Sequence, residues 1–211
     1  PNELFQDSII SLEMFIGEIF PEALAWFEDI AFITGTGVGE PLGFQNGAAV
    51  VQVAKETGQA ANTIVWENLV KMYARMLPSS SGNCVWLANI DTFPELATMS
   101  LSVGTGGSAI WLQNGVGGPP MTILGRPVIF TEKVPTLGTV GDINLIDLSY
   151  YLIGDRQAMQ MDTSPHYRFQ NDQTSVRLIS RLDGRPWLQS AITPNQGTNT
   201  LSPFVSLATR A

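Results

Sequence analysis

Residues 9 to 33 read as one long helix, and no other feature limits the possible folds as tightly. Leu12, Ile16, Ile19, Ala23, Trp26, Ile30 and Ile33 recur every three or four positions, which puts them on one face. Phe20, Leu24, Phe27 and Ala31 widen that stripe, and Glu13, Glu18, Glu22, Glu28 and Asp29 mark the wetter side. Asp7 or Ser8 can cap the start, and Gly35 can end the helix in a left-handed conformation. Pro21 objects: its ring presses on the carbonyl of Gly17 and removes one hydrogen bond. A bend or two abutting helices is expected there, with Gly17 absorbing the change.

A glycine-rich loop follows, Thr34-Gly35-Thr36-Gly37-Val38-Gly39-Glu40-Pro41-Leu42-Gly43. A second helix is expected from about Thr63 to Leu77, with Val65, Leu69, Met72 and Met76 as its stripe. Asn62 or Thr63 would cap it, and Pro78 would end it. Cys84 to Ala88 reads as a strand buried on both faces, after a loop at Ser79 to Gly82. Thr92 and Glu95 read as a capping box opening a short helix. The glycine-rich stretch 102–119 reads as loop, or as loop with a short strand at Ile110 to Leu112. Short strands follow at Met121 to Leu124, Val128 to Thr131 and Ile143 to Asp147. Longer alternating runs occupy 149–192, where Thr174, Val176, Leu178 and Leu182 oppose Arg177 and Arg181. Asp183-Gly184 reads as a hairpin turn. A polar linker at 194–203 leads to a last strand, Phe204 to Leu207. The class is α+β.

A chain of 211 residues makes one large domain or two small ones and folds without a disulfide or metal. Its charged fraction is 14%, where about 25% is usual. Interface centres are depleted in Lys, Glu and Asp, so assembly is one reading. A monomer with a Ser/Thr/Asn/Gln-rich surface is the other. The net charge of −8 and the absence of a basic run argue against nucleic-acid readout and anionic membrane surfaces. Cys84, a lone cysteine in an apolar run, reads as a buried hydrophobe suited to a reducing cytosol. No apolar run reaches the ~18 residues of a membrane span, and no signal peptide is visible. The chain begins at Pro1 without a methionine and so reads as part of something longer.

Little here points to catalysis. The Gly35 to Gly39 loop follows a helix and lacks the third spacing of a dinucleotide fingerprint, and no Gly-Lys-Ser/Thr is present for a phosphate loop. The single histidine, His166, would pair with Cys84 only if the thiol left its apolar strand. One His and one Cys make no zinc site, and Gly141-Asp142-Ile143-Asn144 is not a calcium loop. No cofactor is expected. Paired carboxylates at a chance distance stay open. Arg156, Arg168, Arg177, Arg181 and Arg185 are five of eleven basic residues within thirty positions. They are either solvated or paired with acids of a neighbouring subunit.

These pieces together resemble the major capsid proteins of tailed phages of the Hong Kong 97 type. Glu28-Asp29-Ile30-Ala31-Phe32-Ile33-Thr34-Gly35-Thr36-Gly37-Val38-Gly39-Glu40-Pro41-Leu42-Gly43 resembles that family's spine helix and following turn. Leu124-Gly125-Arg126-Pro127-Val128-Ile129 resembles its strand opening. Gly154-Asp155-Arg156, Phe169-Gln170-Asn171-Asp172-Gln173, Arg177 and Arg181-Leu182-Asp183-Gly184 resemble its C-terminal β-region. The resemblance implies a peripheral domain at 1–45 and 147–192 and an axial domain at 46–146 and 193–211. It implies a structural, non-enzymatic subunit that self-assembles into hexamers and pentamers of an icosahedral shell around DNA. Portal, scaffold and other capsid proteins would be its partners, the virion capsid its destination and the bacterial cytoplasm its place of assembly. The family's N-terminal arm and extended loop are missing, so no crosslinking residue is expected and the chain is not expected to build a shell alone. Trp111 and Leu112, near the capsomer axis, and Arg177 and Arg181 are the candidate subunit contacts.

Three rival readings remain at this level. An encapsulin-like nanocompartment would share the fold and enclose an enzyme cargo. A carboxylate-type hydrolase needs a cleft with two facing acids. A ligand-binding module needs a concave aromatic patch, yet Trp26, Trp66 and Trp86 fall in apolar runs.

Overall fold

In the computed structural model, residues 12–103, 106–109 and 121–210 are described. Helix α1, Leu12–Thr34, runs unbroken through Pro21. The expected pair of abutting helices is one helix, because a proline removes one hydrogen bond while the turns on either side keep theirs. The expected caps Asp7 and Ser8 lie outside the described residues.

The end of α1 departs from expectation. Gly35 is not left-handed. A Cβ on it would stand 2.2 Å from the Pro41 carbonyl oxygen, so glycine is required there by close approach. The last carbonyls are satisfied from a distance, since the Asn46 side-chain amide donates to the carbonyls of Thr34 (2.8 Å) and Gly35 (3.1 Å). The left-handed glycines, Gly37 and Gly39, sit two and four residues further on, in the turn itself.

The centre of the molecule is a six-stranded mixed sheet. Its strands are β1 (Val51–Val53), β2 (Val85–Asn89), β5 (Thr122–Ile123), β6 (Arg126–Thr131), β7 (Ile143–Ile146) and β10 (Phe204–Leu207), in the order β1-β10-β7-β2-β6-β5. Strand β10 lies parallel to β1 and antiparallel to β7. Every residue of β7 and β10 is buried, as central strands covered on both faces require. Strand β2 is less enclosed than expected. Trp86 and Ala88 are buried, but Val85 and Leu87 are only half-buried, because the layer over that face is incomplete.

One face of the sheet packs on helices α2 (Trp66–Ala74) and α3 (Phe93–Thr98). Leu69, Met72 and Met76 from the predicted stripe join Trp86, Leu96, Leu145 and Val205 in this core. Trp86 donates its indole N–H to the Ile123 carbonyl at 3.0 Å, which makes burial of that ring affordable. Both predicted caps differ from what forms. Helix α2 starts later, and Asn68 reaches back to accept the Val65 amide at 3.1 Å. The Thr63 hydroxyl instead donates to the Ala60 carbonyl, and Asn62 is left-handed. The Thr92 hydroxyl is buried and donates back to the Asn89 carbonyl (2.7 Å), so it makes no capping box with Glu95.

A short hairpin, β3 (Ser100–Val103) with β4 (Gly106–Ala109), occupies part of the stretch read as loop. The proposed strand at Ile110 to Leu112 lies outside the described residues. A far longer hairpin joins β8 (Tyr151–Arg168) to β9 (Gln173–Pro186). Its turn is a 3-10 turn at Phe169–Asn171 followed by left-handed Asp172. Asp183-Gly184, expected as a hairpin turn, lies inside β9 opposite Gly154 and Ile153. Gly184 is there for space. A Cβ would come within 2.8 Å of the Tyr151 hydroxyl and 3.0 Å of the Phe32 ring, where α1 crosses the hairpin base.

The C-terminal segment is fixed by an ion pair that is fully buried on both sides. Arg210 Nη2 donates to Asp142 Oδ2. Asp142 also accepts the amides of Gly138 and Ile143, each at 2.9 Å, and the Arg210 amide donates to the Gly138 carbonyl. Removing one partner of such a pair leaves a buried charge uncompensated. Asp142→Asn is therefore expected to lower the unfolding free energy by about 3–5 kcal/mol in denaturant titrations. A loss below about 1 kcal/mol would show that water reaches Arg210.

Candidate functional site

Helix α1 is apolar but largely uncovered. Of its predicted core face, only the last two turns are enclosed, where Ala31 and Ile33 are buried and Phe32 rests edge-on against Tyr151 at 5.6 Å. Towards the start the large side chains stand in solvent. Met14 is 76% exposed and Phe27 64%, and Phe15, Ile19, Phe20 and Trp26 are each more than two-fifths exposed. Monomers rarely leave a contiguous apolar surface of this kind open.

Grooves flank this helix, one of them beside the glycine-rich turn, where Leu24, Phe27 and Glu28 face Glu40, Arg181 and Asp183. An apolar one of about 420 Å³ lies between its end and the open face of the sheet, lined by Phe32, Val85, Leu87, Ile129, Tyr151 and Ile153. This is why Val85 and Leu87 are half-buried. A third lies between α1 and the hairpin, where Pro21, Leu24 and Glu28 face Ile153, Asp155 and Leu182. Gly17 meets the hairpin too, with Met161 Cε 3.8 Å from where its Cβ would stand. Glu28, expected on the wetter side, is half-buried here. Burial raises its pKa above the ordinary carboxylate value, and the charges of Asp29 and Asp155 add to the effect. Asp29 is held by Lys133 at 2.5 Å, an ion pair between α1 and the residues after β6.

The glycine-rich turn is structural. The Glu40 carboxylate accepts the Thr36 amide (2.8 Å) and hydroxyl (2.9 Å), which closes the turn and holds its pKa below the usual value. The Leu42 amide donates to the Gly184 carbonyl, and the Tyr151 hydroxyl donates to the Leu42 carbonyl at 2.9 Å. The turn thereby pins the base of the long hairpin.

On that hairpin the expected alternation is present. Arg177 and Arg181 are exposed, opposite the half-buried Thr174, Val176, Leu178 and Leu182. Arg177 is engaged within its own chain, 2.7 Å from Asp162 across the strands. Arg181 stands opposite Gln157 without an ion pair among the described residues. The tip carries two bare aromatic side chains, Tyr167 at 79% and Phe169 at 80% exposure. Trp111 and Leu112 lie outside the described residues.

Residues with chemical potential are kept apart. Cys84 is buried at the start of β2, where desolvation raises its pKa, while His166 is exposed near the hairpin tip. Among the described residues no group of three or more His, Cys, Asp and Glu could hold a metal. Periodicity alone gave no sign of the Asp142–Arg210 pair, the Asn46 cap or the Tyr151 strut, because each joins residues far apart in sequence.

Comparison with known proteins matches residues 1–197 to the family described as the phage capsid family. Among solved structures, the capsid chain of a native GTA particle superposes with a TM-score of 0.78 at 20% identity, over 99% of this chain and 69% of that one. A Mycobacterium phage Cain chain gives 0.58 at 15% identity, over 99% and 68%. The holo-SrpI encapsulin complex from Synechococcus elongatus gives 0.58 at 12% identity, over 96% and 67%. The fold is the Hong Kong 97-like α+β fold shared by these chains. No curated protein sequence matches the chain.

Tyr151 provides a pH test of the geometry. Burial, and then the charge of Asp183, pushes its pKa up to about 12. The unfolded chain releases that proton near pH ~10 while the folded chain keeps it, so stability falls as pH rises through this window. Tyr151→Phe is expected to flatten the alkaline part of a stability-versus-pH curve between about pH 10 and 12. An unchanged slope would place the phenol in water.

Proposed function

The chain belongs to the phage capsid family, and we propose on that premise that it closes into hexamers and pentamers of an icosahedral shell around DNA. As a family member it is a structural capsid subunit. The observation that carries the reading is helix α1. It exposes large apolar side chains along most of its length, a surface that suits cover by neighbouring subunits. The low charged fraction fits such a surface.

We assign residues 1–45 and 147–192 to a peripheral domain and 46–146 and 193–211 to an axial one. The division follows the hairpin and α1 on one side and the six-stranded sheet on the other. No catalytic role is proposed. Scaffold and portal proteins are the expected partners, with assembly in the host cytoplasm and the virion as destination. The encapsulin reading is second, supported by the shared fold alone.

Electron microscopy of the full gene product is expected to show capsomer rings or closed shells. A dispersed monomer at high concentration would overturn the reading. Nuclease-resistant DNA in the shells, when co-expressed with its neighbouring packaging genes, would separate virus from nanocompartment. At the proposed capsomer axis, Trp111→Asp with Leu112→Asp is expected to abolish oligomers, and unchanged assembly would remove that contact from the account.

A further inference from the structure

Charge in this chain is divided by region. No Lys, Arg or His precedes Lys55, and eight carboxylates do. The rest of the chain holds eleven acids against eleven bases, so the whole formal charge of −8 lies in the first 54 residues. On α1, Glu18 and Glu22 are exposed and sit among Phe15, Ile19 and Trp26, spaced by three and four residues. The result is an acidic, apolar stripe on one helix face.

The unpaired cations are elsewhere. Lys71, Lys133, Arg177 and Arg210 each hold a carboxylate within the chain. Arg156, Arg181 and Arg185 are exposed and have no carboxylate partner among the described residues. All three lie on the β8–β9 hairpin.

Arg181 borders a groove with Leu24, Phe27 and Glu28 of its own α1 but holds no carboxylate there among the described residues, and Arg185 does not line that groove. In β9 the even positions turn inward, since a Cβ on Gly184 would touch Phe32 and Leu182 shares a groove with Leu24 and Glu28. Successive side chains of a strand alternate, so Arg181 and Arg185 point to the opposite face. Arg185 stands beside exposed Leu152, its cross-strand partner, and Trp187 follows, also exposed. This face carries two arginines with Asp183 between them, beside exposed apolar side chains, so its excess charge is opposite to that of the α1 stripe.

We propose that the α1 stripe of one copy docks on the outward face of the β8–β9 hairpin of a second copy, with Glu18 and Glu22 against Arg181 and Arg185. The proposal rests on the capsid-subunit reading and names the two faces that meet. Two different faces make a head-to-tail contact, which repeats from copy to copy and forms a ring where the rotation between copies divides a full turn. Desolvated at such an interface, Arg–carboxylate pairs fix register as well as adding affinity.

Charge reversal and its rescue test this directly in the full gene product. Glu18→Arg with Glu22→Arg, and separately Arg181→Glu with Arg185→Glu, are each expected to cut the assembled fraction at least about tenfold in sedimentation velocity. The four-fold variant combining both is expected to recover most of it. Circular dichroism checks the fold, and Glu18→Gln with Glu22→Gln, expected to lose assembly partially, decides the matter if a reversal unfolds. Reversals that assemble like wild type, or a combined variant that stays dissociated, overturn the docking while wild-type shells keep the capsid reading intact. A wild type that never assembles overturns both.

Discussion

The central sheet cannot be completed until the end of the chain arrives. Strand β10 sits between β1 and β7, and the segment after it is locked by the buried Asp142–Arg210 pair. Before that insertion β1 has no partner strand, and the Phe44–Phe204 stack, at 5.9 Å, cannot form. The main core of Trp86, Leu145 and Val205 likewise needs residues more than a hundred positions apart. Such long-range closure is slow, because loop entropy is lost before the contacts compensate for it. It also makes the finished core cooperative, which suits a part that must keep its shape under the load of a lattice.

Around this finished core lies an unfinished periphery. Helix α1 spans about 35 Å at 1.5 Å per residue and is enclosed only at its end. The long hairpin is a two-stranded sheet, marginal by itself in water. Contacts that anchor both meet at one spot: the glycine-rich turn, Tyr151, Phe32 and Gly184. Beyond that spot both elements expose apolar side chains. A subunit built this way has a well-packed centre and two long arms with little packing of their own.

Much of this was legible in the sequence, and the failures share a cause. Helical and strand periods located α1, the α2 stripe, β6, β7 and β10, since those patterns are local. The same periodicity in α1 suggested an ordinary core face, but period reports what is apolar and not what covers it. Ile19 and Trp26 are in phase with Ile33 and yet stand in solvent. Turn chemistry misled at Asp183-Gly184 and at Gly35, where glycine serves close packing against Tyr151 and Pro41. Capping rules misled at Thr92, whose hydroxyl was drawn to the Asn89 carbonyl. Of the candidate contacts, Arg177 and Arg181 fall on the exposed side as the alternation implied. The Asp162 partner of Arg177 depended on strand register that no local pattern could supply.

The central claim is that α1 and the hairpin are completed by neighbouring subunits while the sheet is complete alone. Hydrogen exchange of assembled shells against dissociated subunits measures this residue by residue. The account predicts slow exchange in β2, β7 and β10 in both states. It predicts that residues 12–26 and the outer half of the hairpin exchange quickly when dissociated and become protected on assembly. Equal protection of α1 in the free subunit would contradict it, since the helix would then need no neighbour.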